Sequence, residues 1–237
     1  MSALQKTLED AVIFDFAQEK LRDLNAALQG LEEKTNRTEW SVLNPRGAHA
    51  IAVGVTAPVA ITIDGHAGYY CAGMNDGAAI TIRGNAGTGV AENMMSGSVH
   101  VKGDASQSAG ATAHGGLLII DGNAAARCGI SMKGVNIVVK GNAGHMSAFM
   151  AQSGNLVICG DAGEALGDSL YEARLFVKGA VKSLGADCEV KEMTAEDAEI
   201  LGGLLKQAGC TEKPEDFTRY GSARTLYHFH VDNAGAY

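Results

Sequence analysis

Two nearly identical stretches decide the fold: AITIDGHAG at residues 60–68 and AITIRGNAG at residues 79–87. Looser copies follow as SVHVKGDAS, LLIIDGNAA, NIVVKGNAG, NLVICGDAG and RLFVKGAVK. One glycine recurs in every copy at an interval of 19 residues, as Gly65, Gly84, Gly103, Gly122, Gly141, Gly160 and Gly179. A fixed period near 20 residues is the sequence signature of a solenoid.

Two aliphatic columns precede this glycine. Four residues before it stand Ile61, Ile80, Val99, Leu118, Ile137, Leu156 and Leu175, and two before it stand Ile63, Ile82, Val101, Ile120, Val139, Ile158 and Val177. The column between them and the glycine is mostly charged: Asp64, Arg83, Lys102, Asp121, Lys140, Cys159 and Lys178. This alternation predicts a strand with one face turned inward. Since 19 residues are too few for a strand, a packed helix and two loops, the repeat predicts an all-β, single-stranded parallel β-helix of about seven turns, roughly 34 Å long.

Small and turn-forming residues follow the glycine. Asn or Asp comes next in five copies, as Asn85, Asp104, Asn123, Asn142 and Asp161. Gly and Asn both tolerate positive φ, so we expect this pair to turn a corner through that conformation. Seven residues after the glycine, every copy has Ala or Gly, which predicts a narrow interior at that level.

The flanks predict short capping helices at both ends, because a β-helix with open ends exposes strand edges and core. Leu21, Leu24, Leu28 and Leu31 share one helical face. Thr194 is a fitting N-cap with Asp197 three residues on, and Gly209 is a stop signal. The predicted organisation is an N-terminal helix and cap over 1–59, a β-helix over 60–190, and a C-terminal helix with an aromatic tail over 191–237. Residues 41–59 are predicted as irregular extended chain around NPRG, or a degenerate first turn.

Composition excludes several functions. The net charge is −8 and the repeats are nearly neutral, so no basic stripe is available for nucleic acid. Five cysteines without a CxxC pair, and no signal peptide, predict reduced thiols in a cytoplasmic protein. The sequence contains no run of 18 apolar residues, so no membrane span is predicted.

Individual candidate sites are weak. GNAGTG (84–89) is similar to a phosphate loop but is one copy of the repeat. The repeat-turn histidines His66, His114 and His145, and the tail pair His228 and His230, lack ligand spacing and are interpreted as ordinary turn and surface residues. Cys71 and Cys128 share one column and are predicted to be buried, inert thiols.

Other residues leave two interpretations open. Six methionines either fill an irregular core or offer a soft apolar face to another protein: Met74, Met94, Met95, Met132, Met146 and Met150. Glu92, Arg127, Lys133 and Glu172 either form cross-turn ion pairs or line a surface that a partner contacts. The tail aromatics either pack on the chain itself or dock on another subunit: Phe217, Tyr220, Tyr227, Phe229 and Tyr237.

The repeats resemble the GXGXG domain, which closes the large subunit of glutamate synthase and also occurs in formylmethanofuran dehydrogenase. Segments including NPRGAHAIAVG, GYYCAGMN, AENMMSG, AARCGISMKG, GHMSAFMAQSGN, GDSLYEAR, VKSLGADC and RYGSARTLYHFHVDNAGAY are similar to the free-standing GXGXG subunit of N-methylglutamate synthase. The resemblance covers residues 14–237, and it also favours a right-handed coil.

This resemblance implies a hetero-oligomeric enzyme of three chains that makes N-methyl-L-glutamate from glutamate and methylamine. A class II glutamine amidotransferase-like subunit and an FMN-binding glutamate synthase-like subunit, which also holds the iron–sulfur cluster, would be the partners. The family's catalytic residues do not map onto this chain, where Ser2 stands in place of an N-terminal cysteine. We therefore expect no catalytic, cofactor-binding or metal residues here. The alternative is the GXGXG subunit of a formylmethanofuran dehydrogenase-like molybdenum or tungsten complex.

Overall fold

Eleven strands form one continuous sheet in the computed structural model, which describes residues 12–224. The strands are Val12–Asp15 (β1), Glu39–Leu43 (β2), Ala60–Asp64 (β3), Ala79–Ile82 (β4), Ser98–Val101 (β5), Leu117–Ile120 (β6), Lys133–Val139 (β7), Ser153–Ile158 (β8), Arg174–Val177 (β9), Cys188–Lys191 (β10) and Thr218–Ser222 (β11). The helices are Leu21–Gln29 (α1) and Ala195–Ala208 (α2), with a 3-10 turn at Pro214–Asp216. β1 to β9 are parallel and follow chain order, which confirms the predicted β-solenoid.

The predicted aliphatic columns stack in register. Ile61 pairs with Ile80, Ile80 with Val99, and the pairing continues turn by turn to Leu175. Every member of the two columns is at most 1% exposed. The side chains of each column therefore form an uninterrupted apolar ladder, and its burial is the main driving force for stacking one turn on the next.

Residues 39–59 form an additional turn rather than irregular chain. Trp40 of β2 pairs with Ile61 of β3, an interval of 21 residues instead of 19. The backbone N–H groups of Gly47 and Ala50 donate to the carbonyls of His66 and Tyr69 in the turn above. The two extra residues conceal this turn from the 19-residue period, although it is stacked like the others.

The corner after the repeated glycine is held by a side-chain ladder, and the expectation that its Asn residues take positive φ is wrong. The Oδ1 atom of Asn85 accepts the backbone N–H of Asp104 at 3.0 Å, and Asp104 Oδ1 accepts that of Asn123 at 2.7 Å. A Cβ atom at Gly103 would lie 2.1 Å from Asn85 Oδ1. The glycine column is therefore required because each Asn or Asp occupies the space above it.

Positive φ occurs instead in the arc that returns to the next strand. The residue seven places after the repeated glycine takes φ of 57° at Ala91 and at Ala148, and 66° at Gly110. A Cβ atom at Gly110 would also lie 2.6 Å from Ile137 Cδ1. The side chains of this column are small for two reasons. The left-handed conformation disfavours large side chains, and the position faces the narrow interior of the coil.

The two helices cover different parts of the coil. In α1, Leu24 and Leu28 are fully buried, and Asn25 Nδ2 donates to the carbonyl of Ala50 at 2.8 Å, so this helix covers the first turn. α2 has the predicted capping box between Thr194 and Asp197 and the left-handed stop at Gly209. Its apolar face packs on the outward side chains of β6 to β9, a cluster of Ile119, Val138, Val157 and Phe176 with Leu201, Leu204, Leu205, Ala208 and Phe217. Beyond the last turn, β11 pairs antiparallel with β9, and β10 pairs antiparallel with β11 at the edge of the sheet.

Candidate interaction surface

The interior of the coil is filled by side chains that reach from the strands to the opposite wall. Besides the contact of Ile137 with Gly110, a Cβ atom at Gly167 would lie 2.9 Å from Leu175 Cδ1, and one at Gly129 would lie 3.3 Å from Ile137 Cδ1. Packing of this density leaves no lumen at these turns. Polar chemistry is therefore concentrated on the outer surface.

A cleft of about 590 Å³ lies on the outer side of β8, β9 and β11, beside the N-terminus of α2. We call it the arginine cleft. Its lining residues are Ser153, Gly154, Asn155, Tyr171, Glu172, Ala173, Arg174, Lys191, Arg219, Gly221, Ser222 and Arg224. Four of these side chains are cationic, and each already pairs with a carboxylate: Arg174 with Glu196 and Asp197, Lys191 with Glu189, Arg219 with Asp197, and Arg224 with Asp187.

One buried carboxylate orients two of the arginines. Asp197 is only 3% exposed, and its Oδ1 and Oδ2 lie 3.4 Å and 3.6 Å from the Nε atoms of Arg174 and Arg219. The same carboxylate is fixed by the backbone N–H and hydroxyl of Thr194. Gly221 provides the room, because a Cβ atom there would lie 2.6 Å from Arg219 Nη1. The helix cap therefore positions a pair of guanidinium groups.

Two lining residues have unsatisfied polar atoms. Asn155 Oδ1 and Arg219 Nε are the only buried side-chain polar atoms without a hydrogen bond in the part of the chain that the structure describes. Arg219 Nε nevertheless faces Asp197 Oδ2 at 3.6 Å, so its charge is paired although the contact is longer than a hydrogen bond. Tyr171, which is 53% exposed, stands on the same lining. The arrangement suits a carboxylate-bearing group, since guanidinium donors match carboxylate oxygens.

A second polar cluster runs along the charged column of the outer face. Asp121 Oδ1 lies 2.7 Å from Lys140 Nζ and 2.8 Å from His100 Nε2, and Lys102 Nζ is 3.4 Å from Asp121 Oδ2. Partial burial acts to raise the pKa of Asp121, but hydrogen bonds from Lys140 and His100 outweigh it and hold the pKa at about 2. This carboxylate thus contacts three basic side chains from two turns of the coil.

Two half-buried thiols and a carboxylate meet next to this cluster. Cys159 just after β8, Cys210 just after α2, and Glu212 have their ligand atoms within 4.8 Å of one another. Lys178 Nζ lies 3.4 Å from Glu212 Oε1. Burial, together with the neighbouring Cys210 and Glu212, raises the pKa of Cys159 to about 12. No sequence spacing reveals this group, because Cys159 and Cys210 belong to separate elements.

The histidines interpreted as turn residues are mostly found in that role. His66 takes the place of Asn in the corner ladder, where its Nδ1 accepts the backbone N–H of Asn85 at 2.9 Å. His114 and His145 are exposed on the arcs. GNAGTG (84–89) forms the same corner as its sister copies, and no helix follows it. His228 and His230 lie outside the described residues.

The methionines divide between the two interpretations. Met94 and Met132 are fully buried in the core, whereas Met74, Met95 and Met150 are exposed. Cys71 and Cys128 are both fully buried, and burial raises the pKa of each thiol to about 12.

The four charged residues at breaks in the repeat have different surroundings. Among the described residues Glu92, Arg127 and Lys133 make no ion pair. Glu172 lines the arginine cleft. Burial raises the pKa of Glu92. The ion-pair interpretation is therefore wrong for Glu92, Arg127 and Lys133, whereas Glu172 has the surface position that the other interpretation requires.

The beginning of the aromatic tail packs on the chain itself. Phe217 is buried under α2, and Tyr220 of β11 joins the inner core. Tyr227, Phe229 and Tyr237 lie outside the described residues, and the chain enters that segment directly after Arg224, on the lining of the arginine cleft.

Between residues 12 and 224 no helix is long and apolar enough to cross a membrane.

Comparison with known proteins gives one extensive match. No protein-family profile matches the chain. Over 226 residues it is 61% identical to Protein GlxC of Rhizobium meliloti (strain 1021), and the match covers 95% of this chain and 99% of that protein. Identity at this level along nearly the whole of both polypeptides establishes the family. The chain belongs to the family of Protein GlxC.

Proposed function

We propose that this chain is a structural, non-catalytic subunit of a cytoplasmic glutamate synthase-like complex that makes N-methyl-L-glutamate from glutamate and methylamine. The observation that carries the proposal is the filled interior: the coil is a solid rod whose residues brace one another from turn to turn. A body of this kind holds other subunits at fixed distances and is poorly suited to enclosing a substrate.

The chemistry is assigned to the partners. A class II glutamine amidotransferase-like subunit would supply or accept the amine, and an FMN-binding glutamate synthase-like subunit would hold the FMN and the iron–sulfur cluster. The support is the resemblance of the repeats and of NPRGAHAIAVG, GYYCAGMN and GDSLYEAR to the GXGXG subunit of such enzymes. In this complex the rod sets the spacing of two active sites and helps to wall the path of ammonia or methylamine.

We assign the arginine cleft as a docking point for an acidic segment of a partner subunit. Arg174 and Arg219 are held in place by ion pairs from their Nε atoms to Asp197, Arg174 also pairs with Glu196, and each guanidinium has further N–H donors. A partner carboxylate placed there would gain charge-assisted hydrogen bonds without the cost of ordering the arginines first. Tyr171 adds an exposed aromatic ring, the residue type enriched among interface anchors.

The function is tested by reconstitution of the three purified subunits. This chain alone should show no exchange of glutamate and methylamine. The two partner subunits together should regain N-methylglutamate formation when it is added. Turnover by the isolated chain, full activity of the other two subunits without it, or co-purification from the native source with a molybdopterin subunit instead would overturn the proposal.

The docking point is tested by binding measurements on the same partners. Tyr171→Ala and Lys191→Glu should each weaken binding by about tenfold or more, the usual cost of an interface anchor, without lowering the melting temperature of the chain. Lys34→Glu makes the same charge change near α1, at the other end of the rod, and serves as the matched control. Equal affinities for all three variants and the wild type would exclude the arginine cleft as the docking point.

A further inference from the structure

We infer that Cys159, Cys210 and Glu212 form a zinc site that fastens the C-terminal end of α2 to the outer face of the sheet. This inference does not depend on the proposed function. The three ligand atoms converge within 4.8 Å, a separation that one tetrahedral ion can bridge with small side-chain movements. They form the only such group among residues 12–224.

The ligand types favour zinc over the other common divalent ions. Two thiolates and one carboxylate are a soft-to-borderline donor set, whereas Mg²⁺ and Ca²⁺ require oxygen ligands. Zinc sites with three protein ligands, the arrangement usual in catalytic centres, complete the tetrahedron with water. Cys210 and Glu212 are partly exposed, so solvent has access to the fourth position.

The column of residues that contains Cys159 gives an independent reason to assign this thiol a role as a metal ligand. In the other six turns this outward position is charged, as Asp64, Arg83, Lys102, Asp121, Lys140 and Lys178. A thiol replaces the charge only in the turn where the chain after α2 brings Cys210 against the sheet. Burial of two facing thiols by elements that are distant in sequence is unexplained by the repeat alone.

The surrounding charges balance a loaded site. Both thiols lose their protons to solvent when the zinc–sulfur bonds form, so zinc with two thiolates and one carboxylate carries one net negative charge. The ammonium of Lys178, 3.4 Å from Glu212 Oε1, neutralises it. The backbone N–H of Thr211 donates to Glu212 Oε2 at 3.1 Å, which holds the carboxylate in place, as outer-shell hydrogen bonds do for metal ligands.

Metal analysis of the full chain tests the inference. The chain is purified under reducing conditions, without chelator and after removal of any histidine tag. We expect about one zinc per chain, with a Co²⁺-substituted form that shows thiolate-to-cobalt charge-transfer absorption. Cys159→Ser and Cys210→Ser should both lose the zinc and this absorption, and Cys188→Ser, a thiol outside the group, should keep both.

A conservative variant distinguishes loss of a zinc ligand from misfolding of the chain. Glu212→Gln changes a partly exposed side chain, should preserve the circular dichroism spectrum, and should weaken zinc binding by at least about tenfold in a chelator competition. Zinc removal from the wild type should also lower the hydrogen-exchange protection of α2 near Ala208, because the fastening is lost. Zinc content unchanged in both cysteine variants, or a fully reduced wild type that takes up no zinc, would overturn the inference. A Cys159–Cys210 disulfide that resists reduction and excludes the metal would do the same.

Discussion

Gly110→Ala tests whether the coil is solid. Gly110 has φ of 66°, and a left-handed alanine costs about 1–2 kcal/mol. The new Cβ would lie 2.6 Å from Ile137 Cδ1, and overpacking of this kind costs about 1–3 kcal/mol. Loss of glycine freedom in the unfolded chain returns about 0.4–1 kcal/mol. We therefore expect the free energy of unfolding to fall by about 2–3 kcal/mol.

A second substitution separates the contact from the backbone strain. Ile137→Val removes the Cδ1 atom and should cost about 1 kcal/mol by itself. In the double variant, Ile137 Cδ1 is absent and no longer opposes the new methyl group at residue 110. The loss of unfolding free energy in the double variant should therefore be smaller than the sum of the two single-variant losses by at least about 1 kcal/mol. Equilibrium urea unfolding gives all four free energies, with circular dichroism for the sheet and Trp40 fluorescence for the first turn. Coincidence of these two signals checks that the transition is two-state.

The same glycine-to-alanine change in α2 is the matched control. Gly203 lies within the helix and a Cβ there would meet nothing within 4 Å, so Gly203→Ala should stabilise the protein by about 0.5–1 kcal/mol. Additivity of Gly110→Ala and Ile137→Val within about 0.5 kcal/mol would show that the two side chains do not meet. The claim of a filled interior would then fail, and with it the main support for a rod without an internal site.

Three further predictions concern the polar elements. Asp121→Asn should lower the free energy of unfolding by about 1 kcal/mol at pH 7. Because folding lowers the pKa of Asp121, this difference should persist above pH 4 and disappear as the pH falls toward 2. Urea titrations at several pH values measure it. Asn123→Ala removes the acceptor for the backbone N–H of Asn142 and should cost about 0.5–1 kcal/mol by the same method, whereas Asn36→Ala, on an exposed loop, should cost almost nothing. Thr194→Ala should cost about 1 kcal/mol through the lost helix cap, with faster hydrogen exchange confined to the first turn of α2.

The repeat and its register could be predicted from sequence because they depend on local chemistry. Alternating aliphatic positions at a constant interval leave one way of stacking that buries all of them, and Ile61, Ile80 and Val99 do lie one above another. The helix boundaries at Thr194 and Gly209 follow from capping chemistry in the same way. The turn at 39–59 was predicted only as an alternative to irregular chain, because its 21-residue length breaks the period.

The position of α2 had a signal in the sequence that the glycine period conceals. The middle residue of each strand points outward, and it changes from Thr62, Thr81 and His100 in the early turns to Ile119, Val138, Val157 and Phe176 in the later ones. An apolar outward column requires a cover, and the leucines of α2 provide it. Together with the inward columns, this outward column predicts a helix on the outer face of the last four turns.

The role of the corner asparagines was misassigned because one residue type has two uses. Asn tolerates positive φ, and its side chain also accepts backbone hydrogen bonds. The sequence contains the distinguishing fact, since Asp104 and Asp161 share the column and His66 starts it. Asn, Asp and His have in common a short side chain with an acceptor atom, which indicates a hydrogen-bonding ladder more directly than a left-handed backbone.

The surface sites differ from the repeat in a way that follows from its symmetry. Every regular turn offers the same groups as its neighbours, so a unique binding position requires residues that depart from the columns and residues from outside the repeat. The arginine cleft combines Arg174 of the last parallel strand with Asp197 of α2, and the thiol group combines Cys159 with Cys210. The two sites adjoin opposite ends of α2, a helix of 14 residues that spans about 21 Å. The coil therefore contributes rigidity, and α2 contributes the residues that make these two positions unique, an arrangement that suits the proposed scaffold role.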